Sequence, residues 1–493
     1  MYYIGYDIGS SSVKAALVEA ATGKKVIVLN EPQNEMEIVS LHSDWAEQDP
    51  EIWWQHICVA TKRAIREANI DASKIQGVGI SYQMHGLVIV DDNGDSLRNA
   101  IIWCDSRAVE IGNKAFAELG QEKCMSHLLN SPGNFTASKL KWVKENEPEI
   151  YSKIYKYMLP GDYIAYKLTN EITTTKNGLS EGMLWDYKEN KVADWLLDYY
   201  GIDQSLTPNI VENFTNQGVL SEKASKESGL PVGIPVVYRA GDQPNNALSL
   251  NVLNPGEVAA TGGTSGVFYA VTDATIGNST RVNNFVHVNF EEKNPRIGKL
   301  LNINGAGIQY RWLRNNMGDE TYESMNHKAA KIAIGSDGLV VIPFGNGAER
   351  MFNNKNIGTH FLNLNLNIHS NSHLFRAALE GIAFSFVYGM ECLKDDNATI
   401  GVIRAGNDNL FRSEIFSNTV ASLIGHEIEI YNTTGAVGAA RAVGLTDGDF
   451  EKFGSNISKN DHVMTFLPLQ NSEPYQEAYQ KWKKELELIL TNK

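Results

Sequence analysis

Along this chain, short apolar runs closed by glycine, asparagine or aspartate alternate with stretches whose apolar positions recur at helical spacing, the pattern of an α/β protein. Residues 2–19, Y-Y-I-G-Y-D-I-G-S-S-S-V-K-A-A-L-V-E, predict two strands joined by a tight turn of Gly9, Ser10, Ser11 and Ser12. Such a polar, glycine-containing tip exposes backbone N–H groups that can cradle an anion. Asp49-Pro50 predicts a helix start, with aspartate as N-cap and proline at the first helical position. Trp53, Trp54, Ile57 and Ala60 or Ala64 then share one face, which reads as core rather than as a site. Ile75–Ser81 predicts a strand that ends in Gln83-Met84-His85-Gly86, and Leu87–Val90 predicts another that turns at Asp92-Asn93-Gly94.

Near the middle of the chain, Pro235–Tyr238 predicts a short buried strand with Gly241 as its stop, so Asp242 arrives at the carboxyl end of a strand and the start of a helix. Open α/β sheets place their chemistry there. An aspartate in that position is also a good N-cap, and on local sequence alone capping is the commoner role. Gly256–Val271, G-E-V-A-A-T-G-G-T-S-G-V-F-Y-A-V, repeats the N-terminal design of strand, small-residue turn and strand. The match of G-S-S-S-V-K-A-A-L-V with G-T-S-G-V-F-Y-A-V predicts an internal duplication, each half presenting a phosphate-cradling hairpin to a shared cleft.

Residues 110–235 alternate helical and irregular segments, with Pro160-Gly161-Asp162 opening a helix, and carry no independent chemistry in their pattern. Further on, Leu339–Phe344 and Val402–Ala405 predict strands, the second ending at Gly406-Asn407-Asp408-Asn409. His373–Val387, Phe411–Leu423, the small-residue Gly435–Val443 and Tyr475–Leu490 predict helices.

Composition narrows the function classes. A chain of 493 residues exceeds a single core and predicts two to four domains. The net charge of -14, without clustered Lys and Arg, excludes a nucleic-acid footprint and leaves small molecules or proteins as partners. The four cysteines, Cys58, Cys104, Cys124 and Cys392, form no C-x-x-C pair, which fits a reducing, cytoplasmic setting. The chain opens on a strand and has no apolar run of about 18 residues, so neither secretion nor a membrane span is expected.

The order D-I-G-S-S-S-V-K, Q-M-H-G, W-C-D-S-R, A-G-D, G-G-T-S-G, A-G-N-D-N and G-A-V-G-A-A-R resembles the FGGY carbohydrate kinases over nearly the whole chain. Within that family the Q-M-H-G element is similar to the xylulokinase branch, where the glycerol kinases carry an Arg-Glu pair. The resemblance implies an actin-like ATPase architecture, two RNase H-like domains around a deep cleft, divided here as residues 1–245 for the sugar and the first phosphate hairpin and 246–493 for the nucleotide. It implies ATP and Mg²⁺, phosphorylation of the 5-hydroxyl of D-xylulose, domain closure on the substrates and a homodimer. The rivals are another ketose, a polyol or gluconate as acceptor, or a non-catalytic sugar- or ATP-binding protein.

Roles carry over by position in the same resemblance. Asp242 matches the general base, Met84 and His85 the sugar contacts, and Asp7 the carboxylate near Mg²⁺. Ser10, Ser11, Ser12 and Lys14 match the first phosphate loop, and Gly263 and Thr264 the second. Gly305, Gln309, Gly406 and Asn409 fall where related kinases hold the nucleotide. Asp105, beside Arg107 in W-C-D-S-R, is a substrate-side candidate whose alternative is a plain ion pair, and Lys14 has the alternative of a strand lysine facing solvent. Phosphoryl transfer through a loose transition state asks for positioning and charge neutralisation, so an ordinary carboxylate suffices as base. The family pattern is left at Gln243-Pro244-Asn245, at Ala348–Phe352, and at A-G-N-D-N-L-F-R-S on the adenine side.

Overall fold

The computed structural model describes residues 1–273 and 279–492. The chain forms two compact units, the first comprising Met1–Asn251, Asn284–Ile297 and Thr433–Asn460, the second Val252–Asn283, Gly298–Asn432 and Asp461–Lys493. Two later segments thus return to the first unit, which a single cut between residues 245 and 246 leaves out of account.

The first unit is built on β1 (Tyr2–Ile8), β2 (Val13–Glu19), β3 (Lys25–Glu31), β4 (Ile75–Tyr82) and β5 (Val236–Gly241). Their order across the sheet is β5-β4-β1-β2-β3. The first three strands are antiparallel, as the hairpin sequence predicts, while β4 runs parallel to both β1 and β5. The central strands are apolar on both faces and almost wholly buried, as parallel strands covered on two sides must be. One cover is helix α1 (Pro50–Glu67), capped by Asp49, whose side chain accepts from the Glu51 N–H at 2.9 Å. Its buried Trp53, Trp54, Ile57, Ala60 and Ala64 pack into the core of this sheet, so the aromatic stripe is structural.

The opposite cover is the small-residue helix α6 (Gly435–Ala442), and it lies on the sheet at backbone distance. A Cβ at Gly79 would stand 1.9 Å from the Ala439 carbonyl oxygen, and one at Gly5 2.2 Å from that of Ala436. Gly438 answers from the helix side, where a Cβ would meet the Ser249 side chain at 2.3 Å. Glycine on the strands is therefore what admits the helix to this face of the sheet, and Gly438 admits the neighbouring helix that ends at Ser249.

The second unit repeats the plan with β6 (Glu257–Gly262), β7 (Gly266–Thr272), β8 (Ile297–Ile303), β9 (Val402–Gly406), β10 (Ile428–Tyr431) and β11 (His462–Phe466), ordered β8-β7-β6-β9-β10-β11. As in the first unit, an antiparallel hairpin is continued by two parallel strands, and β11 adds an antiparallel edge. The duplication read from the two hairpins is thus matched strand by strand. The long helix α5 (Asn371–Asp395) fills the core of this unit, and the C-terminal helix α7 (Glu473–Thr491) anchors Trp482, whose indole N–H donates to the Val341 carbonyl at 2.9 Å. The helix expected over Phe411–Leu423 begins as a 3₁₀ turn, Asn409–Arg412, before the α-helix Glu414–Ile424.

Replacing Gly79 by alanine forces α6 off the sheet and is expected to lower stability by at least about 2 kcal/mol. The comparison is Gly444→Ala, where the nearest atom to a new Cβ, in Tyr3, is 3.4 Å away and little change is expected. Thermal unfolding midpoints of the two variants check this; equal midpoints would refute the close-packing account.

Candidate active site

Three neighbouring parallel strands of the first unit bring their carboxyl ends to one edge. Asp7 pairs in register with Ser81, and Ile8 and Gly241 both lie level with Tyr82. The edge therefore carries Asp7 from β1, Met84 and His85 just beyond β4, and Asp242 directly after β5. Strand β5 runs further than Pro235–Tyr238 and delivers Asp242 as the first residue of the helix α3 (Asp242–Ser249). Gly241 is the N-cap residue of α3, and no side-chain cap bond is present. The capping role that local sequence favours for Asp242 is thus not the one it takes.

Asp242 keeps a partial opening to solvent, yet the protein packed around it dominates its ionisation. Burial, reinforced by the Asp7 charge, pushes its pKa from 3.8 up to about 7, against smaller opposing effects of the Gln243 backbone and side-chain hydrogen bonds and of Lys14. The sequence expected an ordinary carboxylate to serve; the site instead holds one whose ionised form is disfavoured. Gln243, the first of the residues that leave the family pattern, is therefore a direct partner of the carboxylate. Asn245, the third, is buried and donates to the Gly435 carbonyl at 2.9 Å, tying α3 to the start of α6.

Asp7 accepts from the Ser81 hydroxyl at 2.8 Å. A Cβ at Gly435 would lie 2.6 Å from its other carboxylate oxygen, so glycine keeps the space beside that oxygen open. Ser10, Ser11 and Ser12 form the hairpin tip, closed by the Gly9 N–H donating to the Ser12 carbonyl at 3.0 Å. Lys14 sits opposite Asp7 in the register, exposed, and near enough for its charge to oppose the rise at Asp242.

His85 adopts a left-handed backbone, φ 62°, uncommon outside glycine and frequent at functional sites. Its carbonyl accepts from the buried Lys139 ammonium at 2.9 Å. The ring stands edge-on to Phe135 at 4.6 Å and near Phe285 at 5.4 Å, and its Nδ1–H donates to the Glu181 carbonyl at 3.0 Å. Met84 is buried against the bare Cα of Gly241. Asp105 forms the ion pair rather than a free contact: both carboxylate oxygens are taken by Arg107, and one also by the Ala46 N–H at 2.7 Å. Sequence pattern missed Glu181, at the end of helix α2 (Lys176–Glu181), because L-S-E-G-M has no spacing that signals chemistry.

In the second unit the β6–β7 hairpin tip, Gly263 and Thr264, meets helix α4 (Gly307–Asn316). The Gly307 and Ile308 N–H groups donate to the Gly263 and Thr264 carbonyls at 3.1 and 3.0 Å, and a Cβ at Gly307 would lie 2.2 Å from the Gly263 oxygen. Gly263, Thr264 and Gly307 line a cavity of about 830 Å³ together with Tyr310, Arg311, Tyr322, Glu323, Asn326 and Arg412. Tyr310 and Tyr322 stack there at 5.8 Å.

Of the other expected nucleotide residues, Gly305 lies behind this cavity against the Pro343 backbone. Gln309 is turned inward, accepting from Thr359 at 2.9 Å, and Gly406 ends β9. The Asn409 side chain lies outside the described residues. Glu349, in the departing Ala348–Phe352 segment, accepts from the Asn304 and Gly305 N–H groups at 2.9 Å, and burial pushes its pKa up to about 7.

The two sheet-based units with these strand plans define an actin-like ATPase fold. Residues 2–249 match the N-terminal domain and residues 258–445 the C-terminal domain of the FGGY family of carbohydrate kinases, and the chain belongs to that family. It is 27% identical to the xylulose kinase of Bacillus subtilis over 464 residues, 91% of this chain and 89% of that one. It is 28% identical to the xylulose kinase of Escherichia coli over 480 residues, 95% and 94% of the two chains. Among solved structures, the xylulose kinase of Rhodospirillum rubrum shares the fold with a TM-score of 0.88 at 24% identity over 99% of both chains. The protein is thus a carbohydrate kinase. No helix among the described residues is long and apolar enough to cross a membrane.

The raised pKa of Asp242 carries a stability cost with a defined sign. Between about pH 4 and about pH 7 the native state holds a proton that the unfolded chain releases, so this group makes stability fall as pH rises through that window. Asp242→Asn is expected to unfold at a higher temperature than the native protein at pH 8, with the advantage shrinking towards pH 4. An advantage independent of pH would contradict the shift.

Proposed function

We propose that the protein transfers the γ-phosphoryl group of ATP to a sugar hydroxyl, with the 5-hydroxyl of D-xylulose as acceptor and Asp242 as general base. The observation that carries this is the convergence of Asp242, Asp7, Met84 and His85 on one strand-end edge. In this scheme Asp242 accepts the hydroxyl proton as that oxygen bonds to the γ-phosphorus, while the bond from the γ-phosphorus to the bridging oxygen breaks and ADP departs. His85 and Met84 orient the sugar and help to exclude water. The Ser10–Ser12 tip and Lys14 serve the transferring phosphoryl group.

The nucleotide belongs to the second unit, at the Gly263–Thr264 tip and the cavity behind it, where Tyr310, Tyr322 and Arg412 offer stacking surface and charge. The first unit, with its returning segments 284–297 and 433–460, serves the sugar and carries the first phosphate hairpin, and the second unit serves the nucleotide. Asp105, its oxygens already occupied, stands outside the acceptor site.

Mg²⁺ fits the same scheme. Among the described residues no cluster of three or more His, Cys, Asp or Glu could hold a metal ion unaided. A cation that relies on phosphate oxygens and water needs only one or two carboxylates, and Asp7, with room kept beside it by Gly435, is the group to provide one. When bound, the ion neutralises phosphate charge.

Xylulose is favoured over other acceptors by the Met84-His85 pair and by the relatives' activities. Asp242→Ala is expected to lower turnover by at least about 10²-fold while leaving nucleotide affinity nearly unchanged. A coupled ATP-consumption screen over xylulose, ribulose, glycerol, gluconate and fuculose, run on native protein and variant, checks both parts. Near-native turnover by the variant removes Asp242 as base, and a good rate with another sugar but none with xylulose replaces the acceptor.

A further inference from the structure

The edge that carries Asp242 holds a second carboxyl group that the scheme above leaves without work. Glu181 is almost wholly buried, its side chain 3% exposed, and only the Tyr82 hydroxyl and the His85 backbone approach its carboxylate oxygens, neither closing a full hydrogen bond. A carboxyl group so weakly partnered in the interior is costly, so its retention asks for a ligand or a reason. Its surroundings are those of the acceptor edge itself. One oxygen lies 3.8 Å from His85 Nδ1 and 2.7 Å from where a Cβ would stand on Gly241, the residue directly before Asp242. Met84 closes the same space, its Cγ 2.5 Å from that point. Glycine at 241 is what lets Met84 and Glu181 approach the base.

We propose that Glu181 is an acceptor-binding residue, its carboxyl group exchanging hydrogen bonds with hydroxyls of a neutral polyhydroxylated substrate held beside Asp242. The inference rests on the acceptor site assigned above and extends it by one residue and one chemical preference. Burial, reinforced by the negative charges of Asp242 and Asp162, holds the Glu181 pKa well above the usual carboxylate range, the Tyr82 hydroxyl acting the other way. A carboxyl group kept protonated is both donor and acceptor, which matches a hydroxyl or an adjacent carbonyl and hydroxyl of a sugar. An acceptor with a carboxylate would add a further negative charge beside Asp7 and Asp242, which disfavours aldonates.

The charged and titratable groups facing Glu181 are Tyr82 and His85 from the β4 strand and its end, Asp242, the buried Asp162–Arg239 pair, and Lys139, whose pKa burial lowers to about 8.

The test uses Glu181→Leu and Glu181→Gln in the full-length protein, with the best acceptor of the native enzyme. Glu181→Leu is expected to raise the acceptor KM at least about tenfold with kcat changed less than about threefold and the ATP KM unchanged. Glu181→Gln, which keeps a donor and an acceptor, is expected to stay within about threefold of native. An unchanged acceptor KM in Glu181→Leu, or parallel losses in both KM values and kcat, overturns the proposal. If Glu181→Leu does not fold, the pH dependence decides. The native acceptor KM should rise with pH as Glu181, whose pKa burial holds well above the usual carboxylate range, ionises, and Glu181→Gln should flatten that rise. The same rise in both proteins overturns the proposal. If the native protein phosphorylates no neutral sugar, the assigned function fails before any variant is measured.

Discussion

Two carboxylates held partly out of water and within each other's field are the constraint on which the first unit depends. Asp7 and Asp242 reach the same edge because β1 and β5 flank β4 in parallel and end level with it. At Asp242, burial raises the cost of charge and the Asp7 carboxylate adds to it. The neighbouring residues answer it: Ser81 donates to Asp7, Gln243 donates to Asp242, and Lys14 offers a positive charge opposite Asp7. The result at Asp242 is a carboxyl group that is reluctant to be charged, a property that suits the proton-accepting role proposed for it.

The backbone supports the same edge through absent side chains. Gly5 and Gly79 admit α6, Gly435 leaves space beside Asp7, and Gly241 lets Met84 and Glu181 close on the position next to Asp242. The second unit reuses the plan for another purpose. Its hairpin tip is met by the N–H groups of α4 through Gly307, and the cavity beside it is walled by Tyr310, Tyr322, Arg311 and Arg412 together with Glu323. One strand order therefore carries a pair of carboxylates at its edge in one unit and a cavity of about 830 Å³ in the other.

Much of this was legible in the sequence because it is local. Hairpin tips, strand-end residues and the repeat of one hairpin by the other are written in contiguous residues. What required the structure is tertiary. The return of residues 433–460 to the first sheet depends on glycines far apart in the chain. Asp105 looks like a polar site residue, but Arg107 takes both its oxygens, and Gln309 has its amide oxygen turned to the Thr359 hydroxyl. Glu181 has no motif at all, and its interest comes from which residues wall it in. The acidity of Asp242 was misjudged for the same reason, since burial and a neighbouring charge from a strand more than two hundred residues away are not properties of A-G-D-Q.

The pH dependence of kcat/KM for the acceptor, at saturating nucleotide, is the most direct measure of the central claim, because it reports ionisation of the base in the free site. The account predicts an acid limb with an apparent pKa near 7 that moves to lower pH in Asp7→Asn, where the neighbouring charge is gone, whatever the loss in absolute rate. A limb at the ordinary carboxylate position, or one that Asp7→Asn leaves in place, would contradict it.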